Sequence, residues 1–158
     1  PSGHKLLELL KEFDYRPTAM AMTITPVHPS FIDKVGDMGE HVFAPSQWEP
    51  NKRIPFPGTR RFIREFTSFT GMLPSYHAGS AYAACEILEK AVVETGGMEH
   101  EKLRDYIISL DTVTVIGRFK VDEAGKQIGH NPLLIQWQDG EKEIVYPPHM
   151  QTAKPLFE

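Results

Sequence analysis

The sequence predicts an α/β fold with a mixed sheet. Three observations carry that prediction: helical and strand-like segments alternate through the first half, two long apolar-striped helices follow, and an antiparallel hairpin pattern closes the last third. The first helix is read over 4–13, where Leu6, Leu9, Leu10 and Phe13 recur at three and four. Asp14-Tyr15-Arg16-Pro17 breaks it, and Thr18 to Thr25 reads as a short strand. Pro29 to Val35 suits a turn or two of helix, and His41 to Pro45 a second strand. Pro45, Pro50, Pro55 and Pro57 then keep the next stretch irregular.

Helical spacing returns at Thr59 to Phe69 through Phe62, Ile63, Phe66 and Phe69, with Gly71 placed as a C-terminal cap. From Tyr76 to Glu94 the positions Ala78, Ala81, Tyr82, Cys85, Leu88 and Val92 form one long stripe, while Ala83 and Ala84 allow close approach of a neighbour, before Gly96-Gly97 ends the helix. Leu103, Tyr106, Ile107 and Leu110 mark another helix. Val113, Val115, Phe119 and Val121 then alternate at period two, predicting a strand up to a turn at Asp122 to Gly125. Leu133 to Gln138, Asp139-Gly140 and Glu141 to Tyr146 read as a hairpin, since Asp-Gly supplies the positive φ angles of a tight turn. A chain that opens on a helix with no preceding strand also suggests a missing beginning.

Composition narrows the function. With 158 residues, 41% hydrophobic and 24% charged, the chain can bury one real core. A net charge of −4 provides no basic stripe for phosphates, so nucleic acid is not an expected partner. No apolar run approaches the roughly 18 residues of a spanning helix, which argues against membrane insertion. Cys85, the single cysteine, excludes an internal disulfide and a cysteine-cluster metal site. The seven histidines are scattered, none paired at the i, i+4 spacing of a helical zinc site. Neither a Gly-x-Ser-x-Gly elbow nor a glycine-rich phosphate loop is present. No catalysis, no metal and no cofactor are therefore expected.

Ligand-binding candidates come from position. Pockets in open α/β sheets lie beyond the carboxyl ends of strands. Trp48, in Ser46-Gln47-Trp48-Glu49-Pro50, follows one predicted strand end and either lines a pocket or covers the edge of the core. Thr23 and Thr25 stand at the other strand's end, where their hydroxyls bind a polar ligand or cap the next helix. Tyr76 and His77 open the long helix and face a ligand from its positive end, or, for Tyr76, pack in the core.

Pro74-Ser75-Tyr76-His77-Ala78-Gly79-Ser80-Ala81-Tyr82-Ala83-Ala84-Cys85, followed by Leu88-Glu89-Lys90-Ala91, closely resembles the long helix of branched-chain amino-acid-type periplasmic binding proteins, the type I periplasmic-binding-protein fold. The resemblance continues in order through Phe43-Ala44-Pro45-Ser46-Gln47-Trp48, Phe56-Pro57-Gly58-Thr59, Leu103-Arg104-Asp105, the run from Ile116 to Asp122, Gly125 and Gln136-Trp137, so it covers nearly the whole chain. It implies an extracytoplasmic receptor that closes two lobes over a small solute and presents it to the permease of an ABC transporter. It also implies that this chain is the C-terminal portion: 1–46 the end of the second lobe, 47–118 the return to the first as a helical layer, 119–158 a crossover hairpin and tail. The N-terminal lobe of the same protein would be a further partner, and a fragment without it would self-associate through faces meant for burial. The same fold also serves ligand-sensing modules of receptors and regulators.

Amino-acid binders of this family place an acidic side chain after the strand matching Ala19 to Thr23, to pair with the ligand ammonium. Here the segment is Thr23-Ile24-Thr25-Pro26-Val27-His28, without a carboxylate. A buried ammonium lacking a partner is costly. The resemblance, so modified, implies a carboxylate, an amide or another polar solute, with Thr23 or Thr25 hydrogen bonding to it and Trp48 and Tyr76 stacking on it.

Overall fold

The computed structural model describes residues 2–51, 53–54 and 56–157; Pro55 of the predicted irregular stretch lies outside them. Its elements in chain order are α1 (Ser2–Glu12), β1 (Met20–Ala21), a 3-10 turn (Thr25–Val27), α2 (Phe31–Val35), a second 3-10 turn (Gly36–Gly39), β2 (Val42–Ser46), α3 (Thr59–Thr70), α4 (Tyr76–Thr95), α5 (His100–Ser109), β3 (Asp111–Thr114), β4 (Gly117–Lys120), β5 (Leu133–Gln138) and β6 (Glu141–Tyr146). They form two compact units, Pro1–Glu49 with Pro132–Glu158, and Pro50–Asn131.

The first unit is a four-stranded mixed sheet in the order β1-β2-β5-β6. β1 runs parallel to β2, with Met20 opposite Val42, and β5 is antiparallel to both β2 and β6. Alternation along β5 separates two covered faces. Trp137 points to a core with Leu7 of α1 and Phe31 of α2, its ring 5.7 Å from that of Phe31, and the indole N–H donates to the Pro26 carbonyl at 2.7 Å. Gln136 and Gln138 point the other way and are buried. Their amides are satisfied by the C-terminal tail: Gln136 accepts from Leu156 N at 2.8 Å and donates to Leu156 O at 2.7 Å, and Gln138 donates to Lys154 O at 2.8 Å. A side-chain amide thus does for the tail what a neighbouring strand's backbone would do.

The turn between β5 and β6 is built as expected. Asp139 and Gly140 take φ of 52° and 76°, the paired positive values of a two-residue hairpin loop. β1 is shorter than the predicted Thr18 to Thr25 strand: the ladder ends one bond past Ala21, with Met22 N donating to Phe43 O, and Pro26, which has no N–H to give, enters a 3-10 turn.

The second unit packs α3, α4 and α5 with the two-stranded sheet β3-β4. The single strand expected over 113–121 is instead this hairpin. It turns at Val115 and Ile116, where Thr114 Oγ1 donates to Gly117 O, and Gly117 has φ 133°; a Cβ there would stand 2.8 Å from His130 Nδ1. Two polar contacts fix the turn to the helices, Thr59 Oγ1 donating to Val115 O and Val115 N donating to Glu86 of α4.

The close approach expected at Ala83 is found, but the apolar stripe of α4 is not its buried face. Gly79, Ala83 and Ala91 face inward, whereas Ala81, Tyr82, Cys85 and Leu88 of the predicted stripe are exposed. Small residues permit close approach of the β3-β4 hairpin and α5, and the larger apolar side chains are left outside. α3 ends as predicted, with Gly71 left-handed at φ 74°.

Candidate functional site

In the first unit the carboxyl ends of the parallel pair β1 and β2 lead into two segments, 22–27 and 47–49. Thr23 lies in the bend after β1 and is exposed. Thr25 opens the 3-10 turn and is half-buried; it does not cap that turn, whose N-cap is Ile24. Its hydroxyl lies against the first turn of α1, so close that a Cβ on Gly3 would fall 2.2 Å from Thr25 Oγ1. Trp48 is 1% exposed, and its carbonyl accepts from Ser46 Oγ at 2.9 Å.

Sequence reasoning missed the charged pair that ties these segments together. Glu49, 2% exposed, accepts from Lys142 Nζ of β6 at 2.5 Å, and the same ammonium reaches Val27 O at 3.3 Å. Burial raises the Glu49 carboxyl above its ordinary 4.5, while the charge and hydrogen bond of Lys142 and a bond from Ser46 pull it back down. The two residues are 93 apart in sequence, and only the register of β6 against β5 brings them together.

In the second unit Tyr76 and His77 form the first turn of α4, capped by Ser75, whose Oγ accepts from Ala78 N at 3.5 Å. Tyr76 is half-buried and His77 exposed. Their rings stack on one another at 4.0 Å, which occupies one face of the tyrosine. The structure thus brings Tyr76 and His77 together, and ties the segment of Thr25 to that of Trp48 through Lys142. Among the described residues no three His, Cys, Asp or Glu side chains converge as a metal site, and no helix is long and apolar enough to cross a membrane.

The chain belongs to the periplasmic binding protein family, whose model matches residues 2–142. The architecture is the type I periplasmic-binding-protein fold. It is similar to the leucine binding protein LivK of Thermotoga maritima (17% identity, TM-score 0.68, covering 89% of this chain and 46% of that one). A second similar structure is the branched-chain amino acid transporter substrate binding protein LivJ of Streptococcus pneumoniae in complex with isoleucine (13%, TM-score 0.75, 91% and 41%). A third is an ABC transporter solute binding protein of R. palustris in complex with benzoate (14%, TM-score 0.67, 89% and 45%). The chain therefore spans less than half the length of these structures, and the family and these neighbours are binding proteins.

Proposed function

We propose that this chain is the C-terminal part of an extracytoplasmic solute receptor of an ABC transporter, completed by an N-terminal lobe and delivering its solute to a membrane permease. The solute is a small carboxylate or amide without an ammonium group, held in the first unit by the Thr23 and Thr25 hydroxyls. The observation that carries the ligand class is the fate of the carboxylate that Lys142 links to the segment after β1. Glu49 is buried and its charge is met by Lys142, so it does not face a cationic ligand. Family resemblance and coverage of under half of the matched structures support the two-lobed receptor.

The test is calorimetric titration of the full-length protein with leucine and with 4-methylpentanoate, which is leucine without its amino group. The carboxylate is expected to bind more tightly, and Thr23→Val, removing one hydroxyl, to weaken it by up to about tenfold. Tighter binding of leucine, with Thr23→Val indistinguishable from the parent, would overturn the ligand assignment.

A further inference from the structure

The second unit carries a basic surface that the solute reading does not use. Within Thr59-Arg60-Arg61-Phe62-Ile63-Arg64-Glu65, Phe62 is buried and its ring lies 4.7 Å from that of Tyr82, so packing accounts for that side of α3. Arg60, Arg61 and Arg64 project from the opposite side and are exposed. Arg61 is held by Glu65 at 2.8 Å, whereas Arg60 and Arg64 have no carboxylate partner among the described residues. Like charges at i, i+4 oppose helix formation. The first turn of α3 also contains no acidic residue, and its N-cap, Gly58, offers no side chain to the free N–H groups. Positive charge is thus concentrated at the positive end of a helix dipole, in a chain whose net charge is −4.

The arginines border a cleft of about 550 Å³ whose floor is Ile54, Phe56 and Gly58. We propose that this cleft is a docking surface for an acidic protein segment, in which two or more carboxylates flank one apolar side chain. Guanidinium forks match carboxylates in bidentate geometry, and the apolar floor takes the side chain between them. A protein segment fits better than an anionic lipid surface on shape. The arginines border a depression, whereas a bilayer surface is flat. The proposal stands apart from the solute assignment, since none of its residues belongs to the ligand-binding set.

The experiment uses the full-length protein and a fluorescein-labelled, acetylated and amidated peptide Glu-Glu-Leu-Glu-Glu, followed by fluorescence anisotropy in low salt, about 50 mM NaCl. Saturable binding is expected, at least about fivefold weaker for the peptide with Gln in place of Glu and weakened again as salt is raised. The double variant Arg60→Glu, Arg64→Glu is expected to abolish binding, and Arg60→Lys, Arg64→Lys to retain part of it. Lys102→Glu with Arg104→Glu on α5 changes the net charge equally and is expected to leave binding intact. Circular dichroism guards against misfolding. Absence of saturable peptide binding, equal loss in the α5 control, or binding to vesicles of about 30 mol% phosphatidylglycerol without binding to the peptide would each overturn the proposal.

Discussion

Replacing Lys142 by methionine tests the account of the buried pair. The substitution keeps most of the side-chain volume but removes the ammonium that meets Glu49 and reaches Val27 O. Glu49 is left 2% exposed in the parent geometry with no compensating charge. Removing one member of a buried ion pair costs about 3–5 kcal/mol, which lowers the midpoint of a domain of this size by roughly 6–20 °C. The loss depends on pH, with a definite sign. Burial already raises the Glu49 carboxyl above 4.5 in the native chain, and Lys142 is the chief influence opposing that rise. Without Lys142 the native carboxyl climbs further and binds its proton more tightly than the unfolded one does. Stability contributed by that proton is complete below 4.5 and is lost as pH rises through the elevated native value. Thermal unfolding of Lys142→Met followed from about pH 5 to pH 8 is therefore expected to show the deficit growing with pH. Glu49→Leu combined with Lys142→Met removes both charges and is expected to lie within about 1 kcal/mol of the parent. A single variant that loses less than about 1 kcal/mol, or loses the same amount at every pH, would refute the reasoning.

Trp137→Phe leaves the buried Pro26 carbonyl without its indole donor and opens space beside Phe31, so urea unfolding is expected to report a loss of about 2–4 kcal/mol. Gly140→Ala meets no neighbouring atom within 4 Å, so its cost is the left-handed backbone alone, about 1–2 kcal/mol by the same assay. Gly97→Ala, equally uncrowded and without a positive φ, is expected to be neutral or slightly stabilising.

What the sequence reveals here depends on how local each determinant is. The β5-β6 hairpin was legible residue for residue, because Asp139-Gly140 states its turn type and the flanking segments are strand-like. The C-terminal end of α4 was legible for the same reason, from Gly96 after it. Its buried face was legible only in part, at Ala83. Tyr82 and Leu88 make the more hydrophobic stripe, but close packing selected Gly79, Ala83 and Ala91, and steric fit to a partner is not encoded in hydrophobicity. The β3-β4 turn escaped because alternation at period two continues through both strands, and its anchors, Thr59 and Glu86, lie far off in sequence. Glu49 and Lys142 gave no signal until the strands were paired.

The first unit is assembled from both ends of the chain, with residues 50–131 inserted between its two segments. β2 holds only the two-residue β1 on one side until β5 arrives on the other. On a ribosome adding 5–20 residues per second, about 5–20 s separate the emergence of β2 from that of β6. During that interval Val42, Phe43 and Ala44, all buried in the finished sheet, have an open edge and no covering tail. Residues 50–131 all emerge before β5 does. The nascent chain therefore passes through a stage in which the β2 edge that β5 will cover is open, and an open strand edge invites aggregation and capture by chaperones.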